Sequence, residues 1–361
     1  MQQLFLPEEA QGASDMNAAN HSARFVIIVN YNGRKHLELS LPSLMRALPQ
    51  GYKILVVDNG SVDGSLSYIE RNFPNIFVLR SDINLGFSLG NNLGIRFALE
   101  QGADRLLLLN NDAVVEVDCI VELERILAAC PSVGIVGPKV LGEDCKIQAA
   151  GGIVRVSLSD LIWNLRSADT WKCVKHIGQG EADDGSHNEP LEVDYVPGCA
   201  MLLKSEVIRK IGFFDDVYTP AYYEEVDLCL RAKALGYTVA YAPKARLTHK
   251  AAGTLGVGSL RAMYLMERNM TTFGLRNLRA ADLVKFVVIE LLRFFLVPAK
   301  YLAKCEPSRA QCFIRAKLDA CSRSCSAKKR MKEASKHSNE PSNEGRPSGS
   351  TSDTYRLTKR S

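Results

Sequence analysis

The segment Leu106–Asp112, with the sequence LLLLNND, determines the fold class that this sequence predicts. Four consecutive leucines are typical of a strand that is buried on both faces of a sheet. Asn110, Asn111 and Asp112 follow directly, so the strand delivers amides and a carboxylate to the edge where open α/β sheets bind ligands. A carboxylate there can hold a divalent metal, and the metal can hold a diphosphate. The alternative is helix capping before a helix at Val114–Leu127.

Three further apolar runs precede this strand, and helical patterns lie between them. Strands that are continuously apolar indicate a parallel sheet covered by helices on both faces. The predicted strands are Arg24–Asn30, Lys53–Val57, Ile76–Leu79 and Leu106–Leu109, and the predicted helices are Lys35–Leu48, Ser65–Asn72 and Ser88–Gln101. Polar residues end these strands, so the carboxyl edge is expected to collect Asn30, Asn32, Asp58, Asn59, Asn84 and Asp112.

The pattern is less regular after residue 130. Residues 151–190 are rich in Gly, Ser, Asp and Asn, which is typical of an insertion or a flexible loop. An amphipathic helix is predicted at Glu225–Leu235, with Gly236 as a suitable residue just beyond its end. Further strands are predicted at Gly134–Val140, Val193–Leu203 and Thr238–Tyr241, the last leading to His249.

Composition limits the class of protein. The 361 residues, with 46% hydrophobic and 24% charged side chains, allow one large or two small globular domains. Residues 305–361 carry 13 Lys/Arg against 6 Asp/Glu, and the rest of the chain carries 32 against 34. The globular part is therefore not basic, which argues against a nucleic-acid-binding body. Ten cysteines without CxxC pairs fit neither a zinc site nor a secreted disulfide framework, and predict reduced cytosolic thiols.

Both ends of the chain depart from the central pattern. Residues 1–22 have no apolar run of signal-peptide length and are predicted to be a disordered extension. The six charged residues of segment 281–304 fall within an arc of roughly 140°, which leaves a broad apolar face on a helix. That pattern is compatible with a helix in a membrane interface or docked on the core. Residues 305–361 are predicted to form a disordered basic tail that reinforces attraction to anionic lipid.

Four polar clusters are candidates for binding or catalysis. Each also has a structural explanation, since Asn, Asp and Gly favour turns and acidic residues favour helix N-termini. The glycine-rich turn at residues 84–92 is not GxGxxG, so the dinucleotide-binding fingerprint is absent. The clusters are Asp58–Ser65, Asn84–Asn92, Asn110–Asp112, and Tyr222–Asp227 with the later His249.

Seven stretches in a fixed order resemble the family 2 inverting glycosyltransferases of the GT-A fold, nearest to the rhamnosyltransferase-like branch. The resemblance covers Phe25–Thr254, and it implies a Rossmann-like, mostly parallel sheet flanked by helices over residues 23–280. Each stretch is weak alone, and their order makes the resemblance specific. They are VNYNG, VVDNGSVDGS, NLGFSLGNN, LLLLNNDAVV, VPGCAMLLKSEVIRKIGFFDD, YYEEVDLCLRAKALGYTVAYAP and the later His249.

The resemblance implies a role for each matching residue. Glu225 stands at the place of the proposed general base, with Asp227 and Glu224 as substitutes. Asp112 and His249 would hold Mg²⁺ or Mn²⁺, and Asp112 is the one acid in the place of the family's DXD-like motif. The donor-binding residues implied are Asn30, Asn32, Asp58, Asn59, Asn84, Gly86, Asn92 and Asn111.

The resemblance also implies a reaction. A sugar would pass, with inversion, from a dTDP-, UDP- or GDP-sugar to the hydroxyl of a glycan or lipid-linked acceptor in polysaccharide or glycolipid biosynthesis. The expected location is the cytoplasm, with peripheral contact at the inner face of the cytoplasmic membrane. One alternative is a catalytically silent sugar-nucleotide-binding protein. Another is a nucleotidyltransferase, which would show a Gly-rich basic loop after the first strand, where this chain has NYNGRKH.

Overall fold

A computed structural model describes residues 23–159, 171–250, 256, 258–337 and 355–358. The chain divides into two compact units. The first unit comprises Met1–Val154, Val174–Thr254 and Tyr355–Ser361, and the second comprises Arg155–Cys173 and Leu255–Thr354. The main segment of the first unit therefore ends near residue 254 and not at residue 280, because the helix that begins at Leu260 packs with the helices that follow it.

The first unit is an α/β unit, as the sequence predicts. Its strands are β1 (Ala23–Asn30), β2 (Tyr52–Asp58), β3 (Phe77–Ser81), β4 (Ala103–Asn110), β5 (Ala113–Val115), β6 (Val133–Leu141), β7 (Ile147–Ala149), β8 (Gly152–Val154), β9 (Val174–His176), β10 (Leu191–Glu192), β11 (Ala200–Lys204), β12 (Thr238–His249) and β13 (Tyr355–Thr358). Its helices are α1 (Arg34–Ala47), α2 (Ser65–Asn72), α3 (Gly86–Glu100), α4 (Cys119–Ala129), α5 (Ser205–Ile211) and α6 (Glu224–Ala234).

The order of the strands brings the predicted polar ends together. Strands β3, β2, β1 and β4 are neighbours in that order and parallel. Beyond β4 the sheet is mixed, because β11 runs antiparallel to both β4 and β6, while β12 is parallel to β6. In this register Asn30 lies opposite Asp58, and Val29 lies opposite Asn110. The carboxyl ends of β2, β1 and β4 are therefore adjacent.

Continuous burial explains the apolar strands. Each of the residues Leu106–Leu109 is at most 3% exposed, and full burial of each leucine contributes about 2 kcal/mol. Helix α3 lies close to β1 because Gly94 has no side chain. A Cβ atom at Gly94 would lie 2.5 Å from a methyl carbon of Ile27. The opposite face of β1 packs on α1, because Val26 and Ile28 share a buried cluster with the leucines of that helix, and cover on both faces accounts for the uninterrupted apolar run.

The helix expected at Val114–Leu127 begins later. Ala113–Val115 forms β5, which pairs antiparallel with the end of β12, and α4 starts only at Cys119 after Asp118. Asp112 therefore precedes a strand and does not cap a helix, so the capping interpretation is wrong. The physical reason is pairing: the β-branched pair after Ala113 meets a partner strand more than a hundred residues away.

Strand character at Val193–Leu203 is confined to its end. Only Ala200 onward belongs to β11, and β10 lies before the segment. Pro197 and Gly198 interrupt the run, since proline cannot donate a ladder hydrogen bond and glycine weakens a strand. The strand expected at Thr238–Tyr241 is longer than predicted, because β12 continues to His249.

The segment 151–190 is partly built into the fold. Strands β8 and β9 form a separate two-stranded antiparallel sheet. Lys139 is fully buried, and its Nζ atom donates to Asp183 Oδ1 at 2.7 Å and to Asn188 Oδ1 at 2.6 Å. This buried cation fixes the loop, so the flexible-loop interpretation is wrong there. Residues 160–170 lie outside the described part of the chain.

The second unit is helical. It contains α7 (Leu260–Asn277), α8 (Ala280–Ala303) and α9 (Pro307–His337). The prediction of disorder from residue 305 is wrong for α9 and for β13, which pairs antiparallel with β3. Helix α9 is ordered by packing, because Ala310, Phe313 and Ala316 are buried at helical spacing. Residues 1–22, 338–354 and 359–361 lie outside the described residues.

Helix α8 confirms the helix predicted at 281–304. Its Arg293 is fully buried and donates to Glu290 at 2.6 Å and to Glu267 at 2.7 Å. Lys317 of α9 contacts both carboxylates at 2.6 Å. Glu290 and Arg293 thus lie on the side of α8 that packs within the unit, together with the buried Phe286 and Ile289. None of the helices in the described ranges combines the length and the apolarity that a membrane span needs.

Candidate active site

The ends of β1 and β2 form a cluster of hydrogen-bonded polar side chains. The Asn30 amide donates to Ser61 Oγ at 3.1 Å and to Asp58 Oδ1 at 3.4 Å, and Asp58 Oδ2 accepts the Ser61 N–H at 3.1 Å. Asn32 has a left-handed backbone with φ of 48°. Its N–H donates to Ser61 Oγ at 2.9 Å, and its Oδ1 accepts the Val62 N–H at 2.8 Å. Asn30 and Asp58 are fully buried, so the cluster fixes the floor of this edge.

Asn59, Asn84 and Gly86 meet at the next turn along the edge. Asn59 Nδ2 donates to the Gly86 carbonyl at 3.0 Å, and Asn84 Oδ1 accepts the Gly86 N–H at 2.8 Å. Gly86 has a φ of 76°, and a Cβ atom there would lie 2.8 Å from the Pro220 carbonyl oxygen. Within the described ranges, buried Asn59 Oδ1 has no hydrogen-bond donor. The turn therefore offers a buried acceptor and requires glycine.

Asn92 does not share this open edge. Its Nδ2 donates to the Phe214 carbonyl at 2.9 Å, and its Oδ1 accepts the Phe214 N–H at 3.0 Å. The side chain is 3% exposed. Because both polar atoms bind the main chain of Phe214, we assign Asn92 a positioning role for the segment before α6, in place of the donor contact that the resemblance implies.

Asn111 connects β4 to the first cluster. Its Nδ2 donates to Asn30 Oδ1 at 2.8 Å. Gly33 makes room for this pair, since a Cβ atom at Gly33 would lie 2.2 Å from Asn111 Nδ2 and 2.5 Å from Asn30 Oδ1. Glycine at the start of α1 is therefore a condition for the amide ladder from β4 to β2.

Asp112 and His249 face each other at the junction of β4, β5 and β12. Asp112 Oδ1 lies 3.2 Å from His249 Nε2. Burial alone would raise the pKa of Asp112, but the neighbouring His249 and His36 outweigh it and hold the pKa below its usual value. Asp112 is 8% exposed, so its charge is retained in a largely buried place. A carboxylate of this kind is suited to binding a cation.

Gln148 orients the imidazole of His249. The Gln148 Nε2 atom donates to the His249 carbonyl at 2.7 Å, which turns Gln148 Oε1 toward His249 Nδ1 at 3.1 Å. An amide oxygen accepts, so Nδ1 carries the proton in the neutral ring. Nε2 then presents a lone pair, and the Asn110 amide nitrogen lies 3.3 Å from it. A histidine fixed through its other nitrogen in this way is typical of metal ligands.

The Asp112–His249 pair fits a divalent metal. The two electron-rich atoms are 3.2 Å apart, yet among the described residues Asp112 Oδ1 has no well-aligned hydrogen-bond donor. Two neighbouring ligands of one Mg²⁺ or Mn²⁺ ion lie about 3 Å apart when each bond is about 2.1 Å. Within the described ranges, no group of three or more His, Cys, Asp or Glu side chains could hold a metal. A metal here would need further oxygen ligands from a bound molecule.

Two strained residues precede the acidic pair at the start of α6. Tyr222 and Tyr223 have φ angles of 83° and 75°, which non-glycine residues rarely adopt. Such strain persists only where the surroundings enforce it, and it clusters at functional sites. Glu224 follows, 3% exposed, with one carboxylate oxygen that has no hydrogen-bond partner in the described part of the chain. Burial and the charge of Glu225 raise the pKa of Glu224 well above its usual value.

Glu225 has the properties of a general base. Burial raises its pKa to about 7, although main-chain N–H groups at the start of α6 oppose the shift. A carboxyl group with this pKa gains and loses a proton readily at neutral pH. Its side chain lies beside Gly198, where a Cβ atom would be 3.5 Å from Glu225 Cβ and 3.4 Å from the Phe87 ring.

Asp227 forms an ion pair and a hydrogen bond that hold a neighbouring loop. It binds Arg231 Nε at 2.8 Å, and the Tyr218 hydroxyl donates to it at 3.2 Å. Arg231 in turn donates to the carbonyls of Ile211 and Phe213 at 2.6 and 2.8 Å. The carboxylate is 4% exposed. We therefore assign Asp227 to holding the loop after α5, and Glu225 remains the candidate base.

Cys199 links the two acidic parts of the site. Burial, and then the charges of Asp112 and Glu225, raise the pKa of this thiol. Its carbonyl accepts the Asn110 N–H at 2.9 Å. Gly198, which lies against Glu225, thus precedes a residue bonded to the end of β4, so the candidate metal pair and the candidate base lie on the same edge of the sheet.

Sequence reasoning missed Ser61 as a shared partner, as well as Gln148 and His36. Ser61 lies inside a quoted motif, so a hydroxyl three residues after Asp58 was a usable signal. No local sequence signal marks Gln148, because its contact with His249 spans 101 positions of sequence.

Residues 25–212 match the sequence profile described as glycosyl transferase family 2. The chain belongs to glycosyl transferase family 2. This family 2 enzyme is a glycosyltransferase that uses a nucleotide sugar in glycan biosynthesis. The matched range contains each strand of the parallel half of the sheet, the amide cluster and Asp112, while Glu225 and His249 follow it.

Two curated proteins show similarity to the family 2 enzyme. The N-acetylglucosaminyl-diphospho-decaprenol L-rhamnosyltransferase of Mycobacterium tuberculosis is 25% identical over 243 residues, which is 64% of this chain and 77% of that protein. The low-salt glycan biosynthesis hexosyltransferase Agl10 of Haloferax volcanii is 25% identical over 209 residues, which is 58% of this chain and 61% of that protein.

Solved structures show the GT-A fold. The mannosyltransferase PcManGT from Pyrobaculum calidifontis, in complex with GDP-Man and Mn²⁺, has a TM-score of 0.51 at 16% identity and covers 85% of this chain and 89% of its own. GalNAc-T7 with UDP, GalNAc and Mn²⁺ has a TM-score of 0.51 at 15% identity and covers 79% and 58%. At this identity the likeness concerns the fold alone.

Proposed function

We propose that this enzyme transfers a sugar with inversion from a nucleotide-diphosphate donor, with Glu225 as the general base and a divalent metal between Asp112 and His249. One observation carries the proposal. A half-buried carboxyl group with a pKa near 7 lies on the same sheet edge as an oriented carboxylate–histidine pair. These are the two groups that displacement of a diphosphate by a hydroxyl needs.

The proposed reaction is a single displacement. Glu225 takes the proton of the acceptor hydroxyl as its oxygen attacks the anomeric carbon of the donor sugar. The bond between that carbon and the diphosphate oxygen breaks, and the nucleoside diphosphate leaves with the electron pair. Attack from the face opposite the leaving group inverts the anomeric centre. No covalent intermediate with the enzyme is needed, so the site requires no nucleophilic side chain.

The metal pair would act on the leaving group. A bound Mg²⁺ or Mn²⁺ neutralises charge that develops on the diphosphate. The chain's own contribution is to fix the two ligands: Gln148 holds the neutral His249 ring through Nδ1 so that Nε2 faces Asp112 Oδ1 at 3.2 Å. Asp112 and His249 would hold the metal together with oxygen atoms of the bound donor, since no third His, Cys, Asp or Glu side chain of the described residues joins them.

The amide cluster would bind the nucleoside. Asp58 and Asn59 stand at the end of β2, where a base and ribose can approach main chain and side chain together. The unpartnered Asn59 Oδ1 is an acceptor for an N–H or hydroxyl of the donor. The contacts of Asn30, Asn32, Asn84, Gly86 and Asn111 shape this surface from both sides.

The acceptor class follows from the mycobacterial relative. Its name states a diphospho-decaprenol-linked N-acetylglucosamine as the acceptor of L-rhamnose. We infer that the acceptor of this chain is likewise a glycan on a polyprenyl diphosphate. The donor base and sugar are left to experiment, since dTDP-, UDP- and GDP-sugars all suit the amide cluster in outline.

A thermal-shift screen tests this proposal. Purified full-chain protein is heated with each nucleotide sugar, with and without Mn²⁺, and the midpoint of unfolding is compared. One donor is expected to raise the midpoint, and Mn²⁺ to increase that rise. In the Asp112→Asn and His249→Ala variants the Mn²⁺ increment is expected to vanish, while Glu116→Gln, an exposed acid beyond β5, serves as control. An increment that survives in both variants contradicts the metal site.

A further inference from the structure

Helix α8 exposes an apolar face that packing within the second unit leaves uncovered. We name this the outer face of α8 and define it by Val284, Val288, Leu291, Leu292, Phe295 and Leu302. Phe295 is 71% exposed, Val284 64%, Leu302 59% and Leu291 57%. A contiguous patch of large apolar side chains of this kind marks a site of protein or membrane interaction.

The packed side of α8 combines buried apolar residues, Phe286, Ile289 and Val297, with two charged ones. Glu290 and Arg293 point inward to a buried ion cluster with Glu267 and Lys317. Trp171 and Phe313 pack on the Arg293 guanidinium, with distances to the ring centroids of 5.6 and 5.4 Å. The ion cluster therefore fixes the rotation of α8 about its axis. Rotating the outer face inward would strip four charges of their partners, which is costly.

Positive charge surrounds the outer face. Exposed Lys285 lies beside it, paired with exposed Asp282 at 3.2 Å, and exposed Arg279 and Lys304 at the two ends of the helix make the surroundings net positive. Helix α9, which packs on α8, adds exposed Arg315 and Arg323, while its Lys317 belongs to the buried ion cluster. An apolar stripe with basic flanks matches the boundary between anionic headgroups and acyl chains. A second copy of this chain is a poorer partner, because a symmetric pair would bring the same basic helices together.

We propose that the outer face of α8 binds in the interface of a membrane that contains anionic lipid, with the basic residues of α8 and α9 at the headgroups. The helix lies in the plane of the membrane and does not cross it. At 24 residues it extends about 36 Å along the surface. This inference concerns the second unit and does not rest on the chemistry proposed for the first.

Vesicle sedimentation of the full chain tests the inference. Sucrose-loaded vesicles of phosphatidylcholine alone are compared with vesicles containing 30% phosphatidylglycerol (about a third of the lipid). The wild type is expected to bind the anionic vesicles, and Leu291→Glu/Phe295→Glu is expected to lower the partition coefficient at least tenfold. The matched control is Val117→Glu/Val121→Glu, which adds the same charges at residues that are 60% and 52% exposed in the first unit. Its partition coefficient is expected to stay within about twofold of the wild-type value when 0.15 M salt screens the charge repulsion.

Three results overturn the inference. The first is equal binding of the wild type and the Leu291→Glu/Phe295→Glu variant to anionic vesicles. The second is no vesicle binding by the wild type, together with self-association that the variant abolishes, which assigns the face to a second copy. The third is no vesicle binding and no self-association, which leaves the face to another protein. Circular dichroism and the donor-induced thermal shift are expected to be unchanged in the variant. Failure of the membrane inference can therefore be distinguished from failure of the proposed sugar transfer.

Discussion

At the scale of single residues, the site depends on where charge is placed and what burial does to it. Glu225 and Glu224 are neighbours at the start of α6, and burial makes ionisation costly for both. Asp112 is also largely buried but keeps a low pKa, because His249 and His36 offset the cost of burial. Burial thus produces a proton acceptor at Glu225, whereas the neighbouring histidines keep Asp112 an anion.

The pKa of Glu225 predicts the pH dependence of transfer. The base must be ionised before it can take a proton, so with saturating donor the rate is expected to rise about tenfold per pH unit below pH 7 and to level off above it. Initial rates between pH 5.5 and 8.5 measure this. A rate that is flat across pH 7, or that falls as pH rises through 7, contradicts the assignment.

The same pKa predicts an effect on stability. Burial raises the pKa of Glu225 from 4.5 to about 7 in the folded protein, so between these values the folded state binds the proton more tightly. Stability is therefore lost as pH rises through this window. Glu225→Gln is expected to raise the unfolding midpoint at pH 8 and to leave it nearly unchanged at pH 4.5. Differential scanning calorimetry at both values measures the contrast, and a lower midpoint at pH 8 is the opposing outcome.

Asp227 separates a structural acid from a catalytic one. Asp227→Asn removes the charge that holds the buried side of Arg231, so the free energy of unfolding is expected to fall by about 3 kcal/mol. Urea unfolding followed by circular dichroism measures the loss. At a temperature where the variant is folded, transfer is expected to stay within about tenfold of wild type. Unchanged stability together with abolished transfer would instead indicate that Asp227 has a catalytic role.

At the scale of elements, some features could be predicted from sequence and others could not. Leu106–Leu109 and the polar residues after them correctly predict a buried strand with its carboxyl end at the site. The helix cap at Asp112 failed, because β5 forms by pairing with β12, and that pairing is not visible in local sequence. The contacts of Gln148 and Arg231 are likewise not visible in local sequence, because their partners are distant in the chain or are main-chain carbonyls.

Helix α8 shows the same limit. Its period predicts a helix with a charged and an apolar side, but the inward position of Glu290 and Arg293 depends on Glu267 and Lys317 from other helices. The disordered-tail prediction failed for a related reason. The high content of Lys and Arg in α9 is typical of disorder. Composition alone does not show that Ala310, Phe313 and Ala316 pack and order the helix.

The ion cluster predicts how the second unit responds to substitution. Arg293→Leu leaves Glu267 and Glu290 with one cation between them, so the free energy of unfolding is expected to fall by about 3–5 kcal/mol. Lys285→Ala, an exposed change on the same helix, is expected to stay within about 0.5 kcal/mol of wild type. Urea unfolding measures the free energy of unfolding of both variants. Equal losses would contradict a stabilising role for the ion cluster.

At the scale of the whole molecule, the two units divide the tasks that the chain is proposed to perform. The first carries the amide cluster, the Asp112–His249 pair and Glu225 on one edge of a mixed sheet. The second carries a buried ion cluster and the outer face of α8. Family membership establishes the glycosyltransferase, and the geometry of the first unit assigns its residues to steps.

The central claim is that Glu225 takes the proton of the acceptor while other residues hold the donor. The most direct test is the single-turnover rate of Glu225→Gln at pH 8 with saturating donor and Mn²⁺, beside its donor dissociation constant from calorimetry. The account predicts a transfer rate lower by about a thousandfold, with a dissociation constant within about threefold of wild type. A transfer rate within about threefold of wild type would contradict it.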